Sequence, residues 1–295
     1  MIDLYAILAV YSFITGAFIA SFLNVVIWRV PRGESIVSPP SHCPKCGAAV
    51  RWWQNIPILS WLALRGKCAN CRAPISPRYI LVELLGGLLF LAAFLHLFGG
   101  AGKPIVAPFG QVSHAQGPVV LIVWWIWISL MIVGSFIDFD HKLLPDFTTV
   151  GGMALGVAHW ALVSAGTRNF AFDFSDIRMY LPLAFSISGL VFGFGLLWLV
   201  RWLGSKAFGR EAMGMGDVFL MGAVGALFGP VAVLVTLILS SVFGSIVGLS
   251  LIALSKARIG RFVEIPYGPY ICLGCLAWMF FGPRLVSAYL SLFTP

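Results

Sequence analysis

Residues 211–230 read EAMGMGDVFLMGAVGALFGP, with Asp217 directly behind Gly214-Met215-Gly216 and directly ahead of an uninterrupted apolar run. A carboxylate at the mouth of an apolar segment is costly and needs a partner or a task. A second group of acids, Asp138, Asp140 and Asp146, lies in SFIDFDHKLLPD. Two carboxylates brought together at low dielectric cannot both ionise and therefore share a proton. One can then act as base on a water while the other protonates a carbonyl or a leaving amine. The glycines ahead of Asp217 permit close backbone approach there. On spacing alone the same pair serves a proton or cation path equally well.

The cysteines suggest different chemistry. Cys43 and Cys46 form CPKC, Cys68 and Cys71 form CANC, and 21 residues separate the pairs. Two such knuckles can close a tetrahedral thiolate site, each supplying two ligands from one tight turn. The spacing lies one residue beyond the usual window for these ribbons. Two disulfides or four free thiols are the alternatives, and a reducing compartment argues against disulfides. Four thiolates leave no open coordination position, so a zinc ion held there would be structural. Cys272 and Cys275, in CLGC, sit inside an apolar stretch with no second pair nearby and read as core residues.

The elements that must position these groups are membrane helices. Hydrophobic residues make up 60% of the 295 and charged ones only 10%, with a mean hydropathy of +0.95. That composition, gathered in long blocks, excludes an ordinary soluble domain and predicts an all-α polytopic membrane protein. Eight spans are expected, at 5–27, 80–98, 118–137, 147–165, 180–200, 216–229, 231–254 and 268–288, the sixth being short for a full crossing. With both termini outside, the inner loops are 28–79, 138–146, 201–215 and 255–267. They hold eight, one, three and three Lys and Arg, fifteen of the nineteen; Lys103, Arg168, Arg178 and Arg284 remain outside. This split follows the positive-inside rule. The net charge of +8 is thus a topology signal rather than a nucleic-acid footprint. The first span has Asp3 before it and Arg29 and Arg32 after it, the reverse of a signal peptide's flanks, so it is expected to be retained. Three parts follow: a first helix over 1–27, a cytoplasmic zinc-ribbon-like loop over 28–79, and a membrane domain over 80–295.

Asp138 at the end of the third span and Asp217 at the start of the sixth then share one depth, on the cytoplasmic side. Asp3, Asp173 and Asp176 read as external loop charges, and Glu34, Glu211 and Glu264 as cytoplasmic ones. Glu83, in YILVELLGG, is an intramembrane acid best explained by a buried hydrogen bond near the rim. Asp140 and His141 are poorly placed to share a metal with Asp138, because positions i and i+2 point to different helix faces.

The chain resembles the bacterial type IV prepilin peptidases, bifunctional leader peptidases and N-methyltransferases of the GxGD aspartic class. The resemblance runs nearly end to end, through ASFLNVVIWRVPRGES, CPKC, NIPILSWLALRGKC, CRAPISPRYILVELLGG, IDFDHKLLPD, MGMGD and IPYGP. It implies that Asp138 and Asp217 are the catalytic aspartates, with Asp146 outside catalysis. It also implies prepilin or pseudopilin substrates, cut in the inner membrane after a short basic leader ending in Gly and before an apolar helix. S-adenosylmethionine would then methylate the new amine. No Gly-rich fingerprint marks the donor's site, which is expected in loop 28–79 and its border with the membrane. The sequence departs from the family pattern at Ala212, where Gly is common, and at Tyr267, where Phe is usual; the external segment around 164–180 is longer than expected. A proton-coupled transporter using the same acids is the rival reading, and a scaffold docking a partner through its zinc loop is another. A transporter should usually show related halves, and none are evident.

Overall fold

A computed structural model describes residues 3–99, 105–107, 110–112, 117–166, 181–254 and 266–293. In chain order the helices are α1 (Leu4–Arg29), the short α2 (Leu59–Ala63), α3 (Arg78–Phe98), α4 (Gly117–His141), α5 (Asp146–Gly166), α6 (Leu181–Phe208), α7 (Met215–Leu254) and α8 (Gly268–Leu290). Two three-residue strands, Ile105–Ala107 and Gly110–Val112, pair with each other. Among the described residues, seven helices are long and apolar enough to cross a membrane. In lipid the helix satisfies its own backbone, which is why continuous apolar runs fold this way. Phe18, Val191 and Ile238 are among the large apolar side chains left on outer faces.

Seven helices rather than eight spans reflects α7, where the expected sixth and seventh segments are continuous. Gly229 interrupts it at φ 81° and ψ 179°, directly ahead of Pro230. Both arms lie against the same part of α6: a Cβ built on Gly193 would meet the Met221 carbonyl at 2.4 Å and Val233 at 3.1 Å. Residues twelve apart on a straight helix would be separated by about 18 Å. The chain therefore turns back at Gly229, and with the short α2 left aside the described residues form eight helical segments.

Such a turn strands the last carbonyls of the first arm. Two are taken up by side chains: the Ser186 hydroxyl donates to the Ala226 carbonyl at 2.7 Å, and the Trp160 indole N–H to the Leu227 carbonyl at 3.0 Å. The Phe185 ring covers Gly229 itself.

The chain forms two compact units, one of residues 1–105 and 113–133, the other of 106–112 and 134–295. The boundary falls inside α4. In the first unit α1 and α3 pack through small residues, with Gly16 against the Gly86 carbonyl and Gly86 against Ala20. Phe90 stacks on Trp125 at 4.9 Å, and the Trp125 indole donates to the Phe90 carbonyl. In the second unit α7 packs against α5, α6 and α8. Lys103, Arg168, Arg178, Asp173, Asp176 and Glu264 lie outside the described residues, as does most of the long segment around 164–180.

A Cβ on Gly229 would sit 1.9 Å from the Phe185 ring at a φ that disfavours side chains. Gly229→Ala is expected to destabilise the protein by about 2–3 kcal/mol. Gly151→Ala, where nothing lies within 4 Å of the added Cβ, should leave it unchanged or slightly more stable. Thermal unfolding of the two purified variants in detergent provides the comparison.

Candidate active site and metal centre

Asp138 occupies the last turn of α4, and its side chain is buried. α4 stops three residues later because Lys142 takes a left-handed φ of 53° and returns its N–H to the Asp138 carbonyl at 2.8 Å. Pro145 then blocks continuation, and the Thr148 hydroxyl donates to the Pro145 carbonyl at the start of α5. The Gly268 N–H donates to Asp138 Oδ2 at 3.1 Å, across 130 residues of sequence. A Cβ at Gly268 would stand 2.6 Å from that oxygen, so only glycine fits there.

Asp217 is the third residue of α7, also buried, and the Gly214 N–H lies near its carboxylate. An acid at the third position of a helix, beside the N–H of the capping residue, has the placement of half a capping box. The two aspartates lie within one unit and near enough to sense each other's charge. Leu144 ties the corner together. Its buried side chain contacts Gly216 ahead of Asp217, Gly268 beside Asp138, and Gly134 on α4. Cys272, on α8, lies in electrostatic range of both carboxylates and is buried like Cys275.

Two polar clamps hold the backbone on either side. Arg201, on α6, donates through Nε to the Met213 carbonyl at 3.0 Å and through Nη2 to Glu211 at 2.8 Å. The Ala212 N–H donates to the Ser205 hydroxyl, and the Ala212 methyl lies against Gly204. At the other end the Tyr267 and Ser240 hydroxyls are 2.6 Å apart, which fixes the chain one residue before the Gly268 N–H. Sequence reasoning read Arg201 and Glu211 as loop charges and Tyr267 only as a departure from pattern. Nothing in the spacing links α6 or α7 to those backbone groups.

The other acids are elsewhere. Asp140, His141 and Asp146 are exposed, so they do not join Asp138 in a metal site. Glu83, buried on α3, accepts the Ile58 N–H at 2.7 Å. Ile58 has φ 65°, an unfavourable value for a β-branched residue, and the carboxylate holds it there as α2 begins.

The four loop cysteines come together as the knuckles suggest, with ligand atoms all within 4.8 Å of one another. The two knuckles repeat one design. The Cys43 N–H donates to the Ala48 carbonyl and the Cys68 N–H to the Ala73 carbonyl. Each second cysteine is followed by a left-handed residue, Gly47 or Arg72, and each turn is flanked by a bridge, His42 with Ala49 or Lys67 with Pro74. Backbone N–H groups of Cys71 and Asn70 pull the Cys68 thiol down to about 6, and the Ala48 N–H, helped by the Asn70 side chain, lowers Cys46. The Ala73 N–H favours the Cys71 thiolate too, but burial and the neighbouring thiols push that group up to about 11, and four sulfurs gathered this closely suit a soft metal cation.

The bacterial peptidase A24 N-terminal domain matches residues 14–97, and the type IV leader peptidase family matches residues 125–249. A prepilin leader peptidase/N-methyltransferase of Myxococcus xanthus is 39% identical over 87% of this chain and 66% of its own greater length. One from Stutzerimonas stutzeri is 32% identical over 95% and 93%. A type 4 prepilin-like proteins leader peptide-processing enzyme of Escherichia coli is 34% identical over 93% and 94%. No solved structure matches.

If the four sulfurs hold one ion, Cys43, Cys46, Cys68 and Cys71 should resist thiol reagents in the folded protein as purified. Exposure to a strong chelator should then release four reactive thiols together with one equivalent of metal. Elemental analysis alongside thiol titration checks both numbers, and full reactivity before chelation would refute the site.

Proposed function

Because the chain belongs to the bacterial type IV leader peptidase family, we propose that it removes the leader from prepilins or pseudopilins and methylates the amine so exposed. The observation that carries the peptidase reading is the pair of buried carboxylates, Asp138 and Asp217, each beside a backbone N–H in one unit. One carboxylate takes a proton from water as the oxygen attacks the scissile carbonyl; the other protonates the departing amine, and the peptide C–N bond breaks. The Gly268 N–H holds Asp138 in orientation, and Leu144 keeps the corner apolar. Nothing favours the transporter reading.

The enzyme is a multi-pass protein of the inner membrane. We place both termini outside and the carboxylates at the cytoplasmic face, on the strength of the Lys and Arg distribution and the eight helical segments. The loop over 28–79 belongs to the methyl-transfer part and residues 80–295 to the peptidase. The leader is basic and so is the inner surface, so recognition rests on the apolar helix of the substrate entering from the bilayer.

Cys43, Cys46, Cys68 and Cys71 would hold one zinc ion, which supplies cross-linking of the loop and no open position for substrate. S-adenosylmethionine supplies the methyl group. When bound it would offer an electrophilic methyl to the unprotonated amine, which would then release its extra proton to solvent.

Asp138→Asn and Asp217→Asn keep shape and hydrogen bonding while removing the shared proton. Each should fold and lose about 10³-fold in cleavage of a prepilin peptide, followed by mass spectrometry. Methylation of an already processed substrate should persist in both. Near wild-type cleavage by a folded Asp217→Asn would defeat the assignment. Tyr267→Phe should lower kcat by only a few-fold with KM unchanged, since it removes a hydrogen bond to Ser240 and nothing that touches the substrate.

A further inference from the structure

The first unit carries an open groove of about 540 Å³ where α1 meets the loop that follows it. Phe18, Phe22 and Trp52 give it aromatic walls, and Ser21, Asn55 and Arg29 give it polar groups. The Ser21 and Asn55 side chains hydrogen-bond to no described residue. Arg29 is 7% exposed; Nη1 donates to the Ser35 carbonyl at 2.8 Å and Nη2 to the Pro39 carbonyl at 2.7 Å. No carboxylate among the described residues pairs with it. Two neutral carbonyls hold the guanidinium in place but leave its charge uncompensated and three of its five donors unused. A buried cation in that condition is a receptor for an anion, above all for a carboxylate, which guanidinium meets with two parallel bonds.

We propose that this groove binds S-adenosylmethionine, with Arg29 on the carboxylate of its amino-acid end. The assignment rests on the methyl-transfer reading above and gives that reaction a location. The aromatic walls suit a flat purine, and Ser21 and Asn55 can meet ribose hydroxyls. The groove contains no acid for the sulfonium, whose positive charge would rest on aromatic faces instead. The volume lies in the ordinary range for a ligand of this size. An anionic lipid headgroup shares the chemistry of the carboxylate but has no purine for Trp52.

The test uses the full-length protein in nanodiscs of zwitterionic lipid, with radiolabelled S-adenosylmethionine and its decarboxylated analogue in equilibrium dialysis. Wild type should bind the intact donor about tenfold more tightly than the analogue, and Arg29→Gln should erase that preference. Trp52 is 77% exposed, so Trp52→Ala should fold even if Arg29→Gln does not. It should weaken both ligands about tenfold. Wild-type binding by Trp52→Ala, or a preference retained in folded Arg29→Gln, would overturn the groove while leaving methyl transfer in place. Displacement of the donor by added anionic lipid in wild type but not in Arg29→Gln would support Arg29 as the anion receptor. No binding of either ligand by a wild-type protein active in cleavage would remove the methyl-transfer reading and the groove together.

Discussion

A helix that breaks inside a bilayer must have its freed carbonyls met by protein, because lipid offers them nothing. α7 breaks at Gly229, and much of the second unit answers that requirement. Ser186 on α6 and Trp160 on α5 donate to the stranded Ala226 and Leu227 carbonyls, and Phe185 closes over the turn. These contacts bring α5 against the first arm of α7, and α6 lies against both arms. The first arm is short, about 21 Å by helical rise, and its open end carries Asp217. Without the turn, the helix that delivers this carboxylate would be one long rod with a different set of neighbours.

The carboxylates in turn depend on backbone rather than on cations. Neither Asp138 nor Asp217 has a Lys or Arg partner among the described residues; each has one backbone N–H beside it, from Gly268 and Gly214. An ion pair would hold a carboxylate permanently charged, whereas a pair that must exchange a proton needs both forms within reach. Position is therefore secured at one remove. Tyr267 with Ser240, and Arg201 with the Met213 carbonyl, fix the chain beside the acids without touching them. Leu144 fills the space where Gly216 and Gly268 lack side chains.

The helical fold was legible because apolar run length is a direct reading of bilayer thickness, and the thiolate cluster because each knuckle is local. The break in α7 was visible as the boundary between the expected spans 216–229 and 231–254 and as a sixth segment too short to cross. What holds the turn there was not, since this depends on Phe185, Ser186 and Trp160, 43 to 69 residues upstream of Gly229. The pairing of Asp138 with the Gly268 N–H was beyond pattern reading for the same reason: a backbone donor has no residue type to recognise. Glu83 accepts a buried hydrogen bond as expected, yet its partner, the Ile58 N–H at a strained turn, belongs to tertiary structure alone.

The two proposed reactions place opposite demands on their surroundings, and the chain meets them in different units. Hydrolysis needs acids that retain and return protons, and the second unit buries two. Methyl transfer needs an amine with a free electron pair, and carboxylates nearby would stabilise the ammonium form, which cannot attack. A centre built around Asp138 and Asp217 would thus suppress the nucleophile that its own cleavage creates. The groove in the first unit has no acid among its lining residues, so nothing there stabilises the ammonium form of the amine. Placing the two aspartates in one unit and the acid-free groove in the other gives each step the electrostatics it requires, and one chain can then carry both.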